Sequence, residues 1–526
     1  MCGKTHNQID ADDETRRADQ EKHPMTATEL PVAPLAQQLR VTLAATPLPL
    51  VINGQEVAGS GENLPVTDPS TGQLLTETAA ATAADVDRAV AAARAAFESG
   101  PWAEMTPAAR QRALHRFADA LEANLDELAT LESLNCGKPF NVARFGELPA
   151  GIETLRYFAG WATKLNGETR EVSLPGTWHA YTQRQALGVA ALIVPWNVPF
   201  TIALSKVAPA LASGCTVVLK PAELTPLTAV RMAQIALEAG IPAGVLNVVQ
   251  GLGPVAGQAL ADHPDIDKLS FTGSTAVGKK LLASAAGNLK RLSLELGGKS
   301  PVVIYPDADL AKAIPAAAMS IFGNSGQVCA AGSRLFVHEK VADQVIEGIA
   351  GFAKNLKLGA GLDEGTQLGP LISEMQRERV LGYIKKGIAD GAELVVGGLA
   401  KGDEGFFVQP TVLKNVSPDM SIAKDEIFGP VLSVSTFGDE DSLAEVLRRA
   451  NNTEYGLNSV IFTQDISRAL TFAKKIQAGN VRVNTGAGMD PNMPFGGFKQ
   501  SGWGAENGRE GIEAYTSLKS VTVKVD

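Results

Sequence analysis

The amino-acid sequence predicts an α/β protein made of two doubly wound parallel sheets in series, with a small β arm beside them. Between 188 and 304, short apolar or β-branched runs alternate with segments of helical period, as βαβ units with a mostly parallel, doubly covered sheet require. The same alternation restarts near 302 and runs to about 484. The stretches 168–185 (ETREVSLPGTWHAYTQRQ) and 520–525 (SVTVKV) alternate as strands yet fit neither series, so they are expected to protrude or to pair with another subunit.

In chain order, residues 1–46 are expected to be a mobile tail, with Met25 a candidate natural start. The first 24 residues are strongly charged and lack the apolar core of a secretory signal. From Leu48, PLVINGQEV sets the turn pair Asn53-Gly54 between two apolar runs, the signal of a hairpin. Thr82 opens a helix with Asp85 at its third position and Val86, Val90, Ala93 and Phe97 at helical spacing. A second long helix is expected from Thr106-Pro107 to about Leu134.

The first sheet should then use Val189–Val194, Thr216–Leu219, Leu246–Val249, Lys268–Phe271 and Val302–Ile304. Helices near 200–213, 224–239, 254–261 and 274–286 lie between them, and Gly240 supplies a stop. The second series has strands near 335 and 431 and helices near 307, 339 and 439, and a cleft between two such units is a favoured ligand site.

Composition narrows the function. Apolar residues are 45% and charged residues 20% of the 526, and 47 basic against 57 acidic residues give a net charge of −10. That balance disfavours nucleic acid and anionic membrane as partners, because both demand a concentrated positive field. No run is apolar enough to span a membrane. Cys2, Cys136, Cys215 and Cys329 are scattered and form no CxxC pair, so neither a disulfide framework nor a metal site is expected, and a cytoplasmic location fits.

Five stretches carry candidate chemistry. In NSGQVCAAGS, residues 324–333, Cys329 stands in a charge-free run of small residues, as buried filler or as a nucleophile given room. GSTAVGKK, Gly273–Lys280, falls one residue short of a phosphate-binding GxxxxGK[ST] loop, since Lys280 replaces the magnesium-binding hydroxyl. Its glycines and Ser274 at a helix start can hold a diphosphate or simply make a tight turn. The glycines Gly251, Gly253 and Gly257 miss the GxGxxG spacing by one residue.

In VLKPAELTP, Lys220 and Glu223 leave a strand, where an acid can accept both ribose hydroxyls or merely begin a helix. Asn197 in IVPWNVP ends a strand and suits an oxyanion hole. Glu295 in LSLELGGKSP sits in an apolar frame that should raise its pKa, fitting a general base or a salt-bridged core acid.

Together WNVP, KPAE, FTGS, LELGGK, GQVC, EIFGP (426–430) and PFGG (494–497) resemble the aldehyde dehydrogenase superfamily in order and spacing, with Glu295 34 residues ahead of Cys329. The resemblance spans roughly 48–526. It implies a Rossmann-like NAD-binding domain from 47–165 and 187–297, a catalytic domain from 298–497, and oligomerisation strands at 166–186 and 512–526 of a homodimer or homotetramer. By similarity Cys329 is the nucleophile that forms a thiohemiacetal and then a thioester, Asn197 the oxyanion donor and Glu295 the base that activates water. Acyl-transferring relatives typically lack that glutamate, so its presence implies hydrolysis to the acid. Lys206 and Glu506 match a proton relay.

The resemblance also assigns cofactor contacts to Trp196, Lys220, Glu223, Gly253, Gly273, Ser274, Gly278, Glu426 and Phe428. Glu223 would repel a 2′-phosphate, so NAD is the expected cofactor and NADP the weaker alternative. The substrate tunnel is expected at Val198, Ile202, Ser205, Val328, Ala330, Met489 and Phe495. Family members often carry aromatic rings where this chain has Val198, Ser205 and the Gly486–Met489 stretch. A widened apolar tunnel implies an aromatic or medium-sized apolar aldehyde, as in the bacterial phenylacetaldehyde dehydrogenase type. Ala505 departs from an arginine common before the relay glutamate. The alternatives are a terpenoid, aminoaldehyde or semialdehyde specificity, or a non-catalytic nucleotide-binding member such as the lens crystallins recruited from this fold.

Overall fold

The computed structural model describes residues 32–486 and 488–525. Its main body is two sheets. The first has eight strands in the order Gln55–Val57, Leu50–Ile52, Leu246–Val248, Thr216–Lys220, Val189–Ile193, Lys268–Thr272, Arg291–Glu295 and Gly502–Trp503. The five strands from Leu246–Val248 to Arg291–Glu295 are parallel, and the outer ones are antiparallel additions. Chain order runs outward from Val189–Ile193 in both directions. The strand order therefore reverses between Val189–Ile193 and Lys268–Thr272, and at their carboxyl ends such sheets open a crevice.

The hairpin forms as expected, with Asn53 and Gly54 at φ of 52° and 71°, the left-handed pair that a two-residue turn demands. Asp85 is fully buried and accepts from the Thr82 backbone N–H at 2.9 Å, closing the helix start at Ala83–Glu98. Both faces of the sheet are covered. Phe117, Phe158 and Phe200 pack on one, and Val86, Val90 and Leu260 on the other.

The second sheet has seven strands: Glu393–Val396, Thr411–Lys414, Val431–Phe437, Arg334–His338, Pro301–Ile304, Asn458–Phe462 and Asn480–Val483, parallel except for the first. The strand Pro301–Ile304 thus belongs here and not to the first sheet. At the carboxyl ends of these strands a cavity of about 490 Å³ is lined by Tyr305, His338, Asp439 and Arg468. Asp307 there accepts from the Thr463 hydroxyl, the Gln464 and Asp465 amides and the Arg468 guanidinium, which lies 4.1 Å above the Tyr305 ring. Nine residues of the last strand, Thr516–Lys524, pair antiparallel with Trp178–Ala186, and Thr169–Arg170 completes a third, small sheet.

Several local expectations change. Val32–Ala45, expected within a mobile tail, is a helix docked on the first unit, with Arg40 paired to buried Asp68 and Leu39 and Leu43 packed beside Leu131 and Leu134. The rest of that tail lies outside the described residues. The long helix from Pro107 is broken at Asn124, which ends Pro107–Ala123 and begins Leu125–Cys136, because its amide turns back onto the Ala120 carbonyl. The helix near 254–261 begins as a π turn over Gly253–Gly257 and continues as Gln258–Asp262.

Candidate active site

The two sheets meet where the first ends at its carboxyl edge and the second begins at its amino edge. Asn197 follows Val189–Ile193, Glu295 is the last residue of Arg291–Glu295, and Cys329 precedes Arg334–His338. Cys329 is presented by a sharp turn in which Asn324 and Ser325 take φ of 50° and 56°. The Asn197 amide donates to the Gln327 carbonyl at 2.8 Å, and the Asn324 amide donates to the Asn197 carbonyl at 2.9 Å. One N–H of Asn197 is thereby fixed, and its second stays directed by the same plane. The buried Gln327 also accepts from the Ile372 amide at 2.9 Å, and Asn458 donates to the Ala330 carbonyl at 3.0 Å. Sequence reasoning missed Asn324, Gln327 and Asn458 as supports. Asn324 and Gln327 stood in the quoted charge-free run, where neutral amides and the Ser325 hydroxyl, which donates to the Gly369 carbonyl at 2.7 Å, pin the backbone.

Two glycines give the site its room. A Cβ on Gly298 would stand 2.3 Å from the Cys329 carbonyl oxygen, and one on Gly297 would stand 2.3 Å from the Glu426 carboxylate. Gly298 also donates its N–H to Glu426 at 3.0 Å.

Burial, reinforced by Glu426 and Glu295, pushes the Cys329 thiol up to about 12, so it is held protonated in this arrangement. Burial raises Glu295 well above the ordinary glutamate value, Glu506 adds to the rise, and Lys206 opposes it. Both Glu295 oxygens are buried and make no hydrogen bond among the described residues. Lys206 is ion-paired with Glu506 and donates to Ser270 at 2.8 Å. Glu426 is pushed up to about 7, chiefly by burial.

The residues expected to hold the cofactor gather around the crevice. Trp196 and Phe428 meet edge to face at 5.2 Å, and Phe428 sits at φ of 61°. Lys220 is buried, donates to the Pro221 carbonyl at 3.0 Å and lies 3.9 Å from the partly exposed Glu223. Ser274 caps the helix Thr275–Ser284 by accepting from the Val277 amide at 3.4 Å. A helix N-terminus beside a strand-order reversal, with an acid and a buried ammonium alongside, fits a dinucleotide.

The glycines divide by role. A Cβ on Gly278 would strike Leu296 at 2.6 Å, so this glycine brings the helix close to the sheet. Gly273 would meet the Phe271 ring at 2.5 Å, whereas a side chain on Gly253 would meet nothing within 4 Å.

The expected tunnel residues are only partly gathered. Val198, Ile202 and Ser205 share one face at the start of the helix Pro199–Ser213, and Val328 and Ala330 flank Cys329, all half-buried. The Ser205 hydroxyl donates to the Ile202 carbonyl at 2.9 Å. Phe495 exchanges two backbone hydrogen bonds with Glu506, both 2.7 Å, so the expected substrate wall and relay acid are one bridge. Met489 is 65% exposed. Tyr157, which donates to Asn492 at 3.1 Å, was missed, since nothing in its helix sets it apart.

A phenylacetaldehyde dehydrogenase of Pseudomonas fluorescens is 48% identical over 484 residues, 91% of this chain and 96% of that protein. An NAD+ complex of an aldehyde dehydrogenase from Bacillus cereus superposes with a TM-score of 0.90 at 45% identity, covering 92% of this chain and 98% of that one. A cysteine-to-alanine mutant of P. syringae AldA, an indole-3-acetaldehyde dehydrogenase, in complex with NAD+ and IAA, also gives 0.90 at 42% identity, covering 93% and 99%. The model of the aldehyde dehydrogenase family matches residues 57–521, and this chain belongs to that family.

Proposed function

We propose that this protein oxidises an aromatic or medium-sized apolar aldehyde, of which phenylacetaldehyde is the type, to the carboxylic acid, with NAD as hydride acceptor. The observation that carries the reading is the convergence of Cys329, Asn197 and Glu295 from two sheets onto one spot, tied by the Asn197–Gln327 hydrogen bond. NAD is the group that Lys220, Glu223, Ser274, Glu426 and Phe428 would hold, and when bound it supplies the acceptor of the aldehyde hydride.

Cys329 gives its proton to solvent water, to be regained when the C–S bond later breaks, and its sulfur adds to the carbonyl carbon, giving a thiohemiacetal whose oxyanion meets the Asn197 amide and the Cys329 backbone N–H. Loss of hydride leaves a thioester on Cys329. Glu295 then takes a proton from water, the new C–O bond forms, and the C–S bond breaks to restore the thiol site. A base with a raised pKa inside an apolar frame suits this step, because once ionised it is a stronger proton acceptor than an ordinary carboxylate.

The small side chains Val198, Ser205, Val328 and Ala330 support the choice of a bulky aldehyde. Rates of NADH formation with phenylacetaldehyde and with acetaldehyde test it. The expected result is a higher kcat/KM for phenylacetaldehyde, and a preference for acetaldehyde would overturn the substrate reading while leaving the chemistry intact.

A further inference from the structure

A strand of a parallel sheet covered on both faces normally reads as a continuous apolar run. Two neighbouring strands of the first sheet do not. Lys268–Thr272 reads KLSFT and Arg291–Glu295 reads RLSLE, each alternating polar and apolar. They are parallel and in register, with Lys268 opposite Arg291, Ser270 opposite Ser293 and Thr272 opposite Glu295. Side chains alternate along a strand, so these six polar groups share one face while Leu269, Phe271, Leu292 and Leu294 join the apolar cluster on the other. The polar face is a ladder. It begins at Glu295 on the carboxyl edge and ends at Arg291, which is exposed on the amino edge.

The rungs are hydrogen-bonded in two groups, which the register sets side by side at Ser270 and Ser293. Lys206 donates to Ser270 at 2.8 Å, and Ser270 lies 3.4 Å from the Glu506 carboxylate and within hydrogen-bonding reach of the buried Tyr515 hydroxyl. Lys268 is hydrogen-bonded to Ser293 and stands 5.1 Å above the Tyr515 ring. Ser270, Ser293 and Lys268 are each almost fully buried. Burying an ammonium costs several kcal/mol unless it is paired, and no carboxylate forms a salt bridge with Lys268 among the described residues.

We infer that Ser270, Ser293 and Lys268 form the outer half of a proton conduit that drains Glu295, through Glu506, to the amino edge of the sheet at Arg291. The inference rests on the proposed function, which makes Glu295 the base and Lys206–Glu506 its relay. Each turnover leaves one proton on Glu295, taken from the water that becomes the acid. A second water, the reaction's own co-substrate, or rotation of Glu295 passes it to the Glu506 carboxylate. Ser270 accepts it and releases its own hydroxyl proton toward Ser293, and Lys268 takes that proton as an ammonium before yielding it to solvent.

No bond to carbon or sulfur changes, and each hydroxyl ends as it began. Burial, then the charge of Lys206, lowers Lys268 to about 7, which lets it load and unload near neutrality. The other ionisable groups acting on it are Glu506, Cys215 and Arg291.

Rapid-mixing kinetics on the full chain with NAD and phenylacetaldehyde test the conduit, using Ser270→Ala, Lys268→Met and Glu506→Gln. For Ser270→Ala and Lys268→Met the first-turnover burst of NADH should keep the parent rate and amplitude. Steady turnover should fall by about 10-fold, below the ~100-fold that a positioned base itself supplies. The rise of rate with pH should shift, and Ser270→Thr, which keeps the hydroxyl, should restore it.

Parent-like turnover and pH profile in Ser270→Ala and Lys268→Met, with Glu506→Gln slow, would overturn the conduit and leave the inner relay standing. Parent-like behaviour in all three would overturn both. If Lys268→Met does not fold, Ser293→Ala, the smallest cut in the ladder, takes its place with the same expectations.

Discussion

The two sheets share an architecture and use opposite edges of it. The first gathers its proposed site residues at its carboxyl ends, where Asn197, Lys220, Gly273 and Glu295 lie at or just beyond the strand ends beside the strand-order reversal. The second contributes its amino edge, with Cys329 just ahead of Arg334–His338. Its own carboxyl edge is turned away and is tied down by Asp307 and Arg468. The difference follows from what each sheet must hold. A dinucleotide needs helix N-termini, which only the carboxyl edge supplies, whereas a thiol needs one backbone amide and free space.

The largest expected effect is at Cys329, the proposed nucleophile. Cys329→Ala should cut turnover on the order of 10⁵-fold while the dissociation constant for NAD, read by fluorescence titration, stays within about twofold. A parallel loss of NAD affinity would mean that the two edges are not separable.

Next comes Glu295→Gln, expected to slow thioester hydrolysis by about 10³-fold and to leave the NADH burst in place. In the parent enzyme that hydrolysis should rise with pH as Glu295 ionises. Stability carries the opposite sign. A carboxyl whose folded pKa is raised adds stability below its unfolded value and loses it as pH climbs through the folded one. Thermal melts should therefore show Glu295→Gln gaining on the parent as pH increases above 4.5.

At the cofactor edge, Glu223→Ser should raise the ratio of NADP to NAD use by about 10-fold, because a carboxylate near the ribose repels a 2′-phosphate. Val198→Phe combined with Ser205→Trp should shift kcat/KM from phenylacetaldehyde toward acetaldehyde by about 10-fold, within the reach of pocket filling. The smallest effect belongs to the unused edge. Arg468→Ala removes hydrogen bonds to Asp307 and should cost about 1 kcal/mol, seen as a lower Tm, with kcat unchanged. A change in kcat there would join the second sheet's far edge to the chemistry.

Much of this was legible in the residues. The alternation of apolar runs and helical segments announced both sheets, and Asn53-Gly54, Thr82 and Asp85 announced their local structures through turn and cap chemistry. Pro301–Ile304 went to the wrong sheet because strand neighbours are chosen by tertiary packing, which a linear pattern does not encode. Helix Val32–Ala45 was invisible for a related reason. Its stabilisation comes from Asp68 and the Leu131–Leu134 surface, far along the chain. At the site, charged and reactive groups stood out by type, whereas Gln327 and Asn458 matter through the carbonyls they hold, and nothing in one dimension marks those contacts.

The pair Gly297 and Gly298 bears on how this protein can be altered. With backbone or carboxylate atoms 2.3 Å from where a methyl group would sit, neither position tolerates even alanine without moving Cys329 or Glu426. Diversification aimed at new substrates has to pass around them, through the helix face of Val198 and Ser205, both half-buried and neither locked to Cys329 or Glu426 as the glycines are.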